Sequence, residues 1–173
     1  NQAETAPQSS NNNNDYFDIA DLITFDCELP SEISVHSNAL EILDGDVTPN
    51  EADDTDFGPV AVNAQLITKT YTISNLGQGE LNLTGTPVVE IQSASGQFSI
   101  TQQPSTNLLN YQDEVTFEVT FNPTNNGSDT ATIMITNNDN DENPYDFVIA
   151  AEGIAPQTKL LVTQNGQAIA AQD

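Results

Sequence analysis

Basic side chains are almost missing from this chain. Lys69 and Lys159 are the only two, there is no arginine, and 26 Asp and Glu leave a formal net charge of -24. Nucleic acid is excluded as a partner class, because phosphate binding draws on Lys and Arg. Docking on an anionic lipid surface is disfavoured for the same reason. A single cysteine, Cys27, rules out a disulfide within the chain. One histidine, His36, and that one cysteine have no spacing that joins them as zinc ligands. With no nucleophile elbow beside it, His36 also makes no Ser–His–Asp set, and it reads as an exposed strand-end residue. Tryptophan is absent and most Phe fall at inward strand positions, which counts against an aromatic sugar-binding platform. No run approaches the roughly 20 apolar residues of a membrane span, so direct membrane insertion is not expected. These absences together point away from an enzyme.

What is present is strand chemistry. In "EVTFEVTFNP" (114–123), Val115, Phe117, Val119 and Phe121 alternate with Thr116, Glu118 and Thr120. That is the period of two of a strand with one buried face. "LITKTYTIS" (66–74) places Ile67, Tyr71 and Ile73 on one face. Shorter runs of the same kind lie at 33–35, 40–43, 57–62, 81–83, 87–91, 96–101, 130–136 and 145–153. "NNGSD" (125–129) reads as a hairpin turn, and 130–136 is expected to pair with 145–153. No helical spacing is sustained. The fold class predicted is all-β, an immunoglobulin-like antiparallel β-sandwich.

The 173 residues leave room for one such domain plus extensions. Residues 1–30 divide into a polar lead and an apolar arm, "DYFDIADLITFDCELP" (15–30), in which Ile23, Phe25 and Cys27 alternate with Thr24 and Asp26. Cys27 reads there as a small buried hydrophobe. Residues 31–156 form the sandwich. Residues 157–173 carry a further strand, since "TKLLVTQNGQAIAAQD" (158–173) aligns with "SEISVHSNALEILDGD" (31–46). Val162, Asn165, Ile169 and Asp173 fall on Val35, Asn38, Ile42 and Asp46, and Leu160 falls on Ile33. That register suggests one complete unit followed by the opening strand of another.

Two acidic stretches are candidate cation sites. "DGDVTPNEADDTDFG" (44–58) offers Asp44, Asp46, Asp53, Asp54 and Asp56, and "NNDNDENP" (137–144) offers Asn137, Asn138, Asp139, Asp141 and Glu142. Calcium takes several carboxylate and carbonyl oxygens from loops of this composition. Neither stretch has the EF-hand pattern. The alternative is a pair of solvated turns, because Asp and Asn favour turns for backbone reasons alone.

"SEISVHSNALEILDGDVTPNEADDTDFGPVAV", "YTISNLGQGELNLTGTPVVEI" and "FEVTFNPTNNGSDTATIMITNNDNDENPYDFVIAAEGIAP" resemble the bacterial "choice-of-anchor D" domains. Those are relatives of the Hydin-type and major-sperm-protein-like immunoglobulin-like sandwiches. The resemblance covers about residues 31–156 and implies a β-sandwich in a secreted or surface-anchored bacterial protein, often as tandem units. It implies no chemistry. The strand-forming ends lie outside it. They suggest copies joined head to tail by donated strands, with Ile19, Leu22, Ile23 and Phe25, or Leu160, Leu161, Val162 and Ile169, as the contact residues. The function expected is a non-enzymatic, calcium-stabilised subunit of an extracellular filament or surface appendage, its signal peptide already removed. The alternative is a tandem adhesion or ligand-binding module of a larger surface protein.

Overall fold

The computed structural model describes residues 29–64 and 66–156, and the backbone of 163–164 and 167–168. Its strands are β1 (Ile33–Ser37), β2 (Leu40–Ile42), β3 (Asp56–Ala61), β4 (Ile67–Asn75), β5 (Leu81–Asn82), β6 (Val89–Ser93), β7 (Phe98–Gln102), β8 (Leu108–Leu109), β9 (Glu114–Phe121), β10 (Gly127–Ile135), β11 (Tyr145–Ile154), β12 (Thr163–Gln164) and β13 (Gln167–Ala168). A five-stranded sheet runs β2-β1-β4-β9-β7 and a four-stranded sheet runs β3-β11-β10-β6. The two face each other as an immunoglobulin-like sandwich, as the alternation predicts. β5 and β8 form a small ladder of their own.

The alternating side chains make the core. Val115, Phe117, Val119 and Phe121 of β9 face Ala131, Ile133 and Ile135 of β10 and Tyr145, Phe147, Ile149 and Ala151 of β11, all of them buried. Tyr71 ties the sheets together. Its ring stacks on Phe117 at 5.2 Å and meets Phe147 of the opposite sheet at 5.6 Å. Phe98 joins the same core against Phe57 and Phe121. Each such side chain contributes about 1.5–3 kcal/mol by leaving water.

Two expectations need correction. Residues 125–129 are not a hairpin turn, because β9 and β10 belong to different sheets. Between them, the amides of Asn122, Thr124 and Asn125 bond to the backbone or side-chain oxygen of Gln97, which turns the chain across the open end of the sandwich. Turn residues serve a hairpin and a sheet-crossing arch equally well, and only the pairing partner distinguishes them. The sandwich is also not wholly antiparallel. β3 lies parallel to β11, preceded by a parallel bridge between Asp46 and Phe147. β2 leaves its sheet and the chain comes back along the other sheet's edge, running the same way as β11.

The two ends of the sandwich follow from the register. At the proximal end, Ile33 pairs with Asn75, Ser74 with Glu114, and Tyr145 with Ile135. The Ile33 amide donates to Asp139 Oδ2 at 2.9 Å, which puts the 137–144 loop at this end too. At the distal end, Gly127 pairs with Gly153, and Val62 N donates to Ile154 O at 2.9 Å. β1 therefore starts at one end and β11 finishes at the other. The chain reaches β1 through Leu29 and Pro30, which run in backbone contact with Gly77 and Gly79. A Cβ on Gly79 would lie 1.9 Å from Leu29 O, so only glycine permits the approach.

Candidate functional site at the acidic end

The stretch 44–58 consists largely of side chains folded onto their own backbone. Asp46 Oδ1 accepts from Thr48 N and Oγ1, and Asp53 Oδ1 accepts from Thr55 N and Oγ1. Asp56 Oδ1 accepts from Gly58 N at 2.8 Å, and Asn50 Oδ1 from Ala52 N at 2.9 Å. These are side-chain turns spanning two residues, which Asp and Asn form with the backbone amide two positions on. Asp54 is different. Its backbone is left-handed, with φ 65°, and its side chain is buried. It pairs with Lys69 and accepts from Ser37 Oγ at 2.8 Å, while its carbonyl accepts from Tyr71 OH. That is the only ion pair among the described residues. Lys69 lies on the inward register of β4, beside Tyr71, and places one of the two basic groups of the chain inside its densest acidic loop. Burial, then Asp54 and Asp53, push the Tyr71 phenol well above its usual range, so it stays a donor.

The second stretch is organised by Asn137, which is buried. Its Nδ2 donates to Ile135 O and Glu142 O, and its Oδ1 accepts from Asp139 N at 2.7 Å. This turns Asp139 inward onto the Ile33 amide. Glu142 is the perturbed group of this end. Burial, followed by Glu32, Asp139, Asp44 and Asp141, pushes its carboxyl up to about 7. Its Oε2 is buried without a hydrogen-bond partner. Glu32 is also raised, by burial and then by Asp139, Asp141 and Glu41. Asp44 reaches this end because its Oδ1 accepts from Asp146 N at 2.8 Å.

The sandwich thus brings together Asp44, Asp139, Asp141 and Glu142 of the sequence candidates, and adds Glu32. Asp46, Asp53, Asp54 and Asp56 lie apart from them along the edge strand beside β11 or against β4. Among the described residues, no three His, Cys, Asp or Glu side chains converge closely enough to hold a metal ion. Glu32 carries no local signal, since only the cross-sheet fold sets it beside a loop more than a hundred residues away. His36 is not at a strand end. It lies inside β1, half-buried, opposite Glu41 and Thr72. Cys27 and the contact candidates Ile19, Leu22, Ile23, Phe25, Leu160, Leu161, Val162 and Ile169 lie outside the described residues.

The outer strands are β2, β7, β3 and β6. One edge is already capped: Gln103 donates from Nε2 to Val89 O and accepts at Oε1 from Val89 N, imitating a neighbouring strand on β6.

The family profile of HYDIN/CFA65/VesB-like, Ig-like domains matches residues 50–152. The chain belongs to this family. The resemblance read from the sequence is therefore borne out, and the match covers the acidic stretches from Asn50 onward and β3 to β11. Among solved structures, a protein of unknown function from Porphyromonas gingivalis W83 is similar at 14% identity and a TM-score of 0.51, over 72% of this chain and 48% of that one. The chain thus spans about half the length of that relative. The PapD-like domain 7 of human CEP192 is similar at 10% identity and a TM-score of 0.47, over 74% of this chain and 89% of that one. The secreted serine protease VesC from Vibrio cholerae is similar at 16% identity and a TM-score of 0.45, over 57% of this chain and 21% of that one. At these identities the likeness concerns the fold alone. A comparison with curated proteins finds no match.

Proposed function

We propose that this chain is a non-enzymatic structural link in an extracellular bacterial filament or surface appendage, with immunoglobulin-like units strung end to end through strand-forming terminal segments. One observation carries the reading: the chain joins the sandwich at the proximal end, through Leu29 and Pro30, and leaves it at the distal end, through Ile154. Segments that depart from opposite ends suit a linear array, and a head-to-tail contact that does not close continues indefinitely. The near absence of basic residues suits a medium in which cations are plentiful.

Calcium belongs to this proposal at the proximal end, where Asp44 reaches the 137–144 loop, rather than within 46–58. Glu32, Asp44, Asp139, Asp141 and Glu142 repel one another there, and Glu142 Oε2 has no partner. The carboxylates do not close a site by themselves, so an ion would need further oxygens from backbone, asparagine or an adjoining unit.

Electron microscopy of the purified chain with calcium tests the assembly. Linear filaments are expected, and deletion of residues 1–28 should abolish them. If the deleted protein still polymerises, the arm is not the donor. A chelator should lower the melting temperature by several degrees, since a ligand well above its dissociation constant contributes about 2–4 kcal/mol; no shift removes calcium from the reading. The second reading is a tandem adhesion or ligand-binding module of a larger surface protein. The small hairpin formed by β12 and β13 favours it, and a strict monomer at high concentration with calcium would decide for it.

A further inference from the structure

Lys69 and Asp54 belong to different sheets. Lys69 lies on β4, the middle strand of the five-stranded sheet, and Asp54 lies two residues before β3, an edge strand of the four-stranded one. Their side chains meet on the inward side of β4, Nζ against Oδ1. Lys69 is the only lysine among the described residues. Exposed positions adjoin it on the same strand, at Thr68 and Thr70, yet it shares the inward register with Tyr71.

The carboxyl of Asp54 is held from three directions. The Tyr71 hydroxyl donates to Asp54 O at 2.8 Å and anchors its left-handed backbone. Ser37 Oγ lies 2.8 Å from Oδ2 and 3.0 Å from Thr70 O, so its one proton serves these two acceptors. The Lys69 ammonium occupies Oδ1, one bond from the carboxyl carbon. Asp54, Ser37 and Tyr71 are buried, and the Lys69 side chain is 26% exposed. An amine and a carboxyl fixed in contact, largely away from bulk water, react as if each were at very high concentration.

We propose that Lys69 and Asp54 condense to an intramolecular amide, a covalent cross-link between the two sheets. The ammonium passes one proton to Oδ1, which leaves an amine beside a carboxylic acid. Nζ then attacks Cγ, as lysine amines do at carbonyl carbons, and the Nζ–Cγ bond forms. The Cγ–Oδ1 bond breaks, and Oδ1 leaves as water with a second proton from Nζ. One hydrogen stays on the amide nitrogen. Oδ2 becomes the amide oxygen and keeps its contact with Ser37 Oγ. One ammonium and one carboxylate thus give one neutral amide and one water, with no oxidant or co-reactant. The bond closes a loop from Asp54 to Lys69 that contains β3. It ties that edge strand to the middle of the opposite sheet, whether or not chains assemble into filaments.

With two lysines and no arginine, trypsin can cut this chain only after residues 69 and 159. A lysine whose Nζ is bound in an amide is not cut. The full chain, its fold confirmed by a cooperative thermal transition, is unfolded in denaturant, weighed by mass spectrometry and digested. The expected mass is that of the sequence less one water, and the expected fragments are 1–159 and 160–173. Lys69→Arg and Asp54→Ala should each show their full sequence mass and be cut after position 69. A parent chain of full mass that yields fragments 1–69 and 70–159 overturns the cross-link. So does a water loss that persists in both variants, because it then comes from dehydration elsewhere, as at Asp44-Gly45.

Discussion

Asn75 is fully buried at the end of β4 and uses both ends of its amide. Oδ1 accepts from Glu32 N and Gly77 N, and Nδ2 donates to Gly79 O and Leu109 O. One side chain therefore joins the incoming chain, the turn after β4 and β8. An alanine there leaves backbone groups without partners, each costing about 1–3 kcal/mol where water cannot reach. Asn75→Ala is expected to lower unfolding free energy by about 2–4 kcal/mol in urea titrations. A loss below about 1 kcal/mol would show that solvent replaces these bonds. The residue reads locally as an ordinary strand-ending asparagine, because all four partners lie outside its own strand.

Among the elements, the β1–β2 hairpin combines a sound register with a strained turn. Ala39 holds φ 60°, where a Cβ costs roughly 1–2 kcal/mol. Glycine removes that cost but gives back part of it as unfolded-chain entropy. Ala39→Gly is expected to stabilise by about 0.5–1 kcal/mol, seen as a higher urea midpoint at unchanged slope. A lower midpoint would mean that the methyl group makes contacts worth more than the strain. The alternation of β4, β9, β10 and β11 was legible because each has one face in the core, so the period of two survives in the sequence. The sheet-crossing arch at 122–126 and the parallel course of β3 were not, because partner choice is a property of two distant segments.

At the scale of the whole molecule, burial and then repulsion between carboxylates act together at the acidic end. Glu142 concentrates both. Its carboxyl moves from an ordinary 4.5 to about 7 in the folded state. The folded protein then binds this proton more tightly than the unfolded chain does. Its penalty is absent below pH 4.5, grows between 4.5 and about 7, and is complete above that. The melting temperature is expected to fall as pH rises from 5 to 8. Glu142→Gln should flatten this slope and raise the melting temperature at pH 8. An unchanged slope would place the pH dependence on other groups of the acidic end. Calcium bound there would mimic the proton, so its stabilising effect should be larger at pH 8 than at pH 5.

Composition, alternation and turn chemistry by themselves determined that this chain is an all-β sandwich with an extreme acidic balance. Those properties are local: a strand buries every second side chain wherever its partner is, and charge is additive along the chain. The tertiary structure alone decided which acids meet. Asp54 turns inward to Lys69 because its left-handed backbone aims it at β4, while Asp46, Asp53 and Asp56 fold onto the amides that follow them. Glu32, Asp44, Asp139, Asp141 and Glu142 come from three separate segments and become neighbours only where β1 begins beside the 137–144 loop. Repulsion between charges depends on distance in space, and folding across two sheets sets that distance without regard to position in the sequence.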